Sequence, residues 1–249
     1  MQGKFYILLP FIKGYTKVLI TAGSPSSGTK TEIVNVANGI ICSNMADFPV
    51  ELYGSVGANL DGTPVLCGGW SFGYSDKCYR FTNGVWEEFA SMKEKRAYAT
   101  GVTYNKKLHV FGGWNGSSKT QTSETVNVDG MVSNGPDLPT AVGWHAMTTI
   151  NDSVSILSGG STNADQYSAQ TWYYNHDTKA FTSGPDLLEG RRGHGSATNV
   201  DKVTKAKIAV VTGGWNGSAA LDSTEMLING QWETGTLFHA ESKNVFDLL

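Results

Sequence analysis

Charge is what this chain has least of. Charged residues make up 16% of it, against about 25% in an average soluble domain, and the balance is only −3. Without a basic face to neutralise phosphates, nucleic acid is not an expected partner, and no run of like charge forms a tail or arm. Cysteine is equally sparse. Cys42, Cys67 and Cys78 are too few for a disulfide scaffold, and their spacing matches no zinc signature, so no metal is expected. Their first reading is as small buried hydrophobes. A Cys67 to Cys78 bridge between neighbouring strands is the alternative, and it implies an oxidising compartment. No apolar run has the length of a membrane-crossing helix, so no membrane role is expected. Lys4 does precede the apolar run Phe5 to Ile12, which has the length of a signal-peptide core but no small-x-small site close behind it; the other reading of that run is a β-strand.

What the chain has in excess is glycine, 30 residues of 249, and the glycines are ordered. Val110-Phe111-Gly112-Gly113-Trp114 is an apolar run stopped by a glycine pair and an indole. Leu66-Cys67-Gly68-Gly69-Trp70 and Val211-Thr212-Gly213-Gly214-Trp215 repeat it, Leu157-Ser158-Gly159-Gly160 lacks the Trp, and Ile20-Thr21-Ala22-Gly23 has one alanine. The period, roughly 44 to 54 residues, marks a repeat architecture. Repeats at 4–49, 50–92, 93–139, 140–188 and 189–238, with a tail at 239–249, make one domain of the whole chain.

Each repeat divides into four short strands, a to d. Strand b is the run that ends at the glycine pair. Strand c is β-branched and aromatic, as in Ser123 to Val128 and Gln170 to Tyr174. Asn38-Gly39, Asn83-Gly84, Asp129-Gly130 and Asn229-Gly230 then supply c–d turns of the kind that tolerates a type I′ hairpin. Strand d follows with an aromatic such as Trp86 or Trp232, and Pro-containing stretches lead to a strand a rich in small residues, as in Gly54 to Ala58. A four-stranded antiparallel sheet repeated in this way is the unit of an all-β β-propeller. The sequence leaves open whether five repeats close alone or belong to a larger propeller.

The glycine pair with its period, Arg96 and Arg192 at the d–a junctions, and Trp86 and Trp232 in strand d resemble the kelch repeat over nearly the whole chain. Ala22, the missing strand-d Trp of the third and fourth repeats and the absent strand-b tyrosine depart from that pattern. The resemblance implies a β-propeller acting mostly as a protein-binding scaffold, with b–c and d–a loops gathered on one face.

On that face the expected binding residues are Trp70, Phe72, Tyr74, Trp114, Gln121, Tyr167 and Trp215 from b–c loops, with Arg96, Trp144, His145, Arg191, Arg192 and His194 from d–a junctions. Aromatics and arginines dominate interface hot spots, and the arginines would pair with carboxylates of an acidic or polar peptide segment. The bland alternatives are that the recurring tryptophans pack and the arginines hold loop carbonyls. Glu32, Glu124 and Glu225 open strand c and are expected to accept from backbone amides. No catalytic set, cofactor or metal site is expected: strand a carries no Asp or Glu in four repeats, and neither a Gly-x-Ser-x-Gly elbow nor a phosphate loop occurs. An oxidase of the galactose oxidase type is the minor enzyme alternative. Asn115, Asn151 and Asn216 open Asn-x-Ser sequons, which would carry glycans only in a secreted protein. A cytoplasmic protein-binding module is preferred, and a secreted glycan- or protein-binding propeller is the second reading.

Overall fold

The structure, a computed structural model, describes residues 5–11, 15–21, 29–35, 38, 39, 41, 42, 45–200 and 205–235. The Ala22-Gly23 pair and the tail at 239–249 lie outside them. Among the described residues the chain forms five four-stranded antiparallel sheets, each ordered a-b-c-d in sequence. The chain divides into two compact units, Met1–Asp137 and Leu138–Leu249.

Unit 1 holds three sheets. The first joins Phe5–Phe11, Tyr15–Thr21, Thr31–Asn35 and Ile41–Cys42; the apolar N-terminal run is thus strand a. The second joins Val56–Leu60, Thr63–Cys67, Lys77–Thr82 and Val85–Ser91, and the third Thr100–Tyr104, Lys107–Phe111, Ser123–Asn127 and Val132–Asn134. Unit 2 holds the fourth sheet, Ala146–Thr149, Val154–Ser158, Thr171–Asn175 and Ala180–Ser183, and the fifth, Gly195–Val200, Lys207–Thr212, Thr224–Ile228 and Gln231–Gly235. A small ladder of Val142–Gly143 with Ser161–Thr162 extends the glycine-pair end of the fourth sheet.

Apolar side chains fill the space between consecutive sheets of a unit. Val56, Val65, Leu108, Val110 and Val126 pack between the second and third sheets. Leu19, Phe48, Leu52, Leu66 and Trp86 do so between the first and second, and Ile156, Leu187, Val211 and Trp232 between the fourth and fifth. The strand-d tryptophans are buried amphipathic plugs. Trp86 donates its indole N–H to Thr31 Oγ1 at 3.0 Å, and Trp232 donates to the Pro185 carbonyl at 3.0 Å, so each ring is buried without stranding its polar atom.

Turn chemistry set most hairpins as expected. Asn83-Gly84 and Asn229-Gly230 have positive φ at both positions, as do Asp61-Gly62 and Asn105-Lys106 in a–b turns, which is the type I′ requirement. Asp129-Gly130 differs: only Gly130 is left-handed, at φ 85°. Asp129 Oδ1 instead accepts from Met131 N–H at 3.0 Å, an Asx turn that holds the aspartate's own backbone right-handed.

Cys67 and Cys78 face each other across strands b and c of the second sheet and form a disulfide. The bridge replaces the reading of both as free core thiols. At the same register, hydroxyl pairs join the strands in other sheets, Thr21 with Thr31 and Thr212 with Thr224, each at 2.9 Å. The disulfide therefore closes the neck of the loop at 68–77.

Candidate binding surfaces at the glycine-pair ends

The glycine pair decides where each sheet's functional end begins. Its first glycine sits near φ 60–70° and its second near φ 100° (Gly112 60°, Gly113 104°; Gly213 69°, Gly214 97°), and the second value is effectively open to glycine alone. Close approach adds to this: a Cβ on Gly113 would lie 2.7 Å from the Ala97 carbonyl. The pair lets the d–a linker cross over the end of strand b and bond to the residue behind it. Tyr53 pairs with Trp70, Ala97 with Trp114 and Arg192 with Trp215 through reciprocal backbone bonds of 2.7–3.2 Å. Within each unit the b–c loops and d–a linkers thus share one end of the sheets, and the three tryptophans, all half-buried, owe their place to this backbone ladder.

Beneath the ladder lies a clamp built twice. In unit 1 the Arg96 guanidinium, fully buried, donates to Glu124 Oε1 at 2.7 Å, to the Gly112 carbonyl at 2.8 Å and to the Thr122 carbonyl at 3.1 Å. Glu124 accepts in turn from the Lys93 and Glu94 amides at 2.6 and 3.1 Å. In unit 2 Arg191 donates to Glu225 Oε1 at 2.6 Å and to the Gly213 and Ser223 carbonyls, while Glu225 accepts from the Leu188 and Glu189 amides. The expectation that these strand-c glutamates bind backbone amides is met at Glu124 and Glu225. The expectation that Arg96 and Arg191 stand on a binding rim is corrected: each is spent inside its own chain, because the linker needs a cation to cover a buried carboxylate. Glu94 completes the unit 1 clamp. Burial pushes its carboxyl up, but hydrogen bonds from Thr122 and Asn115 and the Arg96 charge together hold its pKa below the usual range.

The sequons divide by the same geometry. Asn115 donates its amide N–H to Glu94 Oε1 at 2.9 Å and Asn216 donates to Glu189 Oε1 at 2.6 Å, so a glycan there would have to be carried on a nitrogen already held against the linker. Asn151 is exposed at an a–b turn, away from the glycine-pair end.

His145 and His194 are corrected as well. Both are buried, and His194 Nε2 lies 3.1 Å from Ser158 Oγ. Burial, with the Arg191 and His145 charges behind it, lowers the His194 pKa to about 3. Ser155 Oγ and His176 Nε2 make a second Ser–His contact at 2.8 Å. Ser155 and Ser158 are 0% and 2% exposed, so both contacts are interior polar pairs out of reach of a substrate.

What remains accessible differs between the units. In unit 2 Arg192 is half-buried, with its guanidinium carbon 5.0 Å from the Tyr167 ring centroid and 5.8 Å from that of Trp144. No carboxylate among the described residues pairs with it. In unit 1 the register-equivalents of Arg192 are Ala97 and Tyr53, and Tyr53 packs on Trp70 at 4.9 Å between centroids. Phe72 follows at the apex of a tight turn, 94% exposed and at φ 50°. Tyr74 lies against Gly116, where a Cβ would come within 2.9 Å of its ring. Tyr53 and Tyr98 were not among the expected residues. Tyr98 could not have been, since its place depends on a left-handed backbone, φ 57°, that glycine occupies at the equivalent Gly54.

Repeated four-stranded sheets, the second to fifth of them entered by a linker laddered onto the glycine-pair end, define the architecture. The fold is a β-propeller. Among 251 matching chains of solved structures is that of YjhT: TM-score 0.79, 13% identity, with 95% of this chain and 84% of that chain covered; a likeness of fold at this identity does not fix function. No protein-family model matches the chain, and no curated protein matches it.

Proposed function

We propose that this propeller is of the kelch type and serves as a non-catalytic protein-interaction module, binding an acidic segment of its partner at the glycine-pair end of unit 2. The observation that carries this reading is Arg192. A half-buried cation with no carboxylate partner among the described residues is costly to leave unpaired. The rings of Tyr167 and Trp144 hold it by cation–π contact, which fixes the guanidinium plane and leaves its donor edge for a bidentate carboxylate. Arg191 next to it cannot serve, being closed on Glu225. The kelch assignment is supported by the glycine pairs, the strand-d tryptophans and the duplicated arginine clamp.

Glutamate-rich peptides, compared with their glutamine counterparts, test it. Titrated against the intact chain, the acidic form binds more tightly, by about ten- to a hundredfold for a charge-assisted contact of roughly 1.5–3 kcal/mol, and Arg192→Ala abolishes the difference without changing the melting temperature. Equal binding of both peptides, or full retention by the variant, would remove the reading. The second reading, a secreted glycan- or protein-binding propeller, draws support from the Cys67–Cys78 bridge, since such bonds persist in oxidising compartments.

A further inference from the structure

The glycine-pair end of unit 1 gathers five rings, Tyr53, Trp70, Phe72, Tyr74 and Tyr98. Trp70 stands between Tyr53 and Phe72, at 4.9 and 6.4 Å between centroids with interplanar angles of 41° and 32°. Tyr98 lies over Gly54, where a Cβ would come within 2.8 Å of its ring. The phenols of Tyr53 and Tyr74 are near enough to Tyr98 to add to burial in raising its pKa. Backbone conformation sets two of these rings apart, and at the Tyr98 position the only other non-glycine is Trp144, φ 56°, the ring beside Arg192. Phe72 and Tyr98 both have left-handed φ, 50° and 57°, while the positions equivalent to Tyr98 in two other linkers are Gly54 and Gly193, at 68° and 63°. A bulky side chain is disfavoured in that region and glycine is not, so strain is retained where the chain's own repeats have relieved it, as functional sites do. The loop carrying Trp70, Phe72 and Tyr74 is also closed at its neck by the Cys67–Cys78 disulfide, which fixes it before any ligand arrives.

We infer that this cluster is a binding platform for a neutral carbohydrate, with Trp70 and Phe72 stacking on the apolar face of a pyranose and the phenols of Tyr53, Tyr74 and Tyr98 exchanging hydrogen bonds with its hydroxyls. Charge selects this occupant. The five rings themselves offer no cation for an acidic peptide or an anionic membrane, and Lys77, at the neck of the loop, is already paired with Glu88 at 2.7 Å. Phenol groups both donate and accept, as sugar hydroxyls do, whereas exposed rings of this kind match C–H faces that carry no charge. The oxidising compartment implied by the disulfide is one in which extracellular glycans are met. The inference does not depend on the Arg192 site and adds a second ligand to the molecule.

The test is calorimetric titration of the intact, oxidised chain with neutral hexasaccharides of the β-glucan, chitin and mannan types, and with a proline-rich peptide as the competing class. At least one hexasaccharide binds with a millimolar or tighter Kd. Phe72→Gly and Tyr98→Gly each weaken it by about tenfold or more while melting within a few degrees of the wild type, because glycine fits both backbones. Arg192→Ala leaves sugar binding unchanged, which separates this site from the acidic-peptide site. No binding of any hexasaccharide, binding undiminished in both glycine variants, or binding of the proline-rich peptide alone overturns the inference.

Discussion

The glycine-pair end of unit 1 and that of unit 2 rest on the same foundation and end in different chemistry. In both, a buried arginine closes on a strand-c glutamate that also takes two linker amides, and an Asn side chain steadies a linker glutamate above it. One residue beyond the buried arginine the repeats diverge: Ala97 follows Arg96, and Arg192 follows Arg191. The arginine at the clamp position of each linker is closed on its glutamate, and of the three only Arg192, one residue further on, is left accessible. Adjacent, like-charged residues in one motif therefore cannot be treated as one functional patch; the distinction is made by which of them the clamp consumes.

The comparison predicts its largest effect at the clamps. Removing one partner of a buried ion pair costs about 3–5 kcal/mol because the other is left uncompensated. Arg96→Ala strands Glu124 and also removes the charge that Glu94 shares, at 3.1 Å, whereas Arg191→Ala strands Glu225 alone. Urea unfolding should show both variants strongly destabilised, Arg96→Ala more so. Equal small losses, below about 1 kcal/mol, would mean the clamps are not what holds the linkers.

A second difference is acid response, concentrated in unit 2. His194 is neutral in the fold down to about pH 3, and His176, lowered by burial, to about pH 4. Unfolded, each takes up a proton near pH 6.5. The unfolded chain thus binds more protons as pH falls below 6.5, and stability falls with it, by about 1.4 kcal/mol per pH unit for His194. Glu94, whose pKa is lowered, acts in the same direction at lower pH: its stabilisation is present above about pH 4.5 and is lost below it. Melting temperature measured between pH 6.5 and 4.5 should therefore decline in the wild type and decline less in His194→Gln. An unchanged slope would show that His194 is protonated in the folded protein.

Much of this frame was legible in the sequence, for identifiable reasons. The glycine pairs, the Asn-Gly turns and the apolar strands each carry a local requirement that few other residues meet, so five sheets could be read from Leu19 to Gln231. The roles of the polar residues could not. Arg96, Arg191 and Arg192 look alike in a string, and only the partner set, Glu124 and Glu225 more than 25 residues downstream, tells the buried ones from the accessible one. His145 and His194 fell to the same limit. Tyr98 was missed because nothing local marks an aromatic as left-handed, and the Cys67–Cys78 bridge followed from register, which the hairpin pattern gave as one of two readings.

The smallest effect sharpens the comparison most. Trp144 occupies the linker position of Tyr98, with φ 56°, and walls one side of Arg192. Trp144→Gly relieves a left-handed side chain, about 1–2 kcal/mol, and forfeits a cation–π contact of about 0.5–1 kcal/mol at a partly exposed site together with ring packing of similar size. These terms nearly cancel, so stability should stay within about 1 kcal/mol of the wild type. Affinity for the acidic peptide should nonetheless fall, since Arg192 regains rotamers that cost roughly 0.5–1.5 kcal/mol to immobilise on binding. A stability loss of several kcal/mol would assign Trp144 to the core of unit 2 rather than to its binding edge, and would leave Tyr167 as the ring that orients the guanidinium.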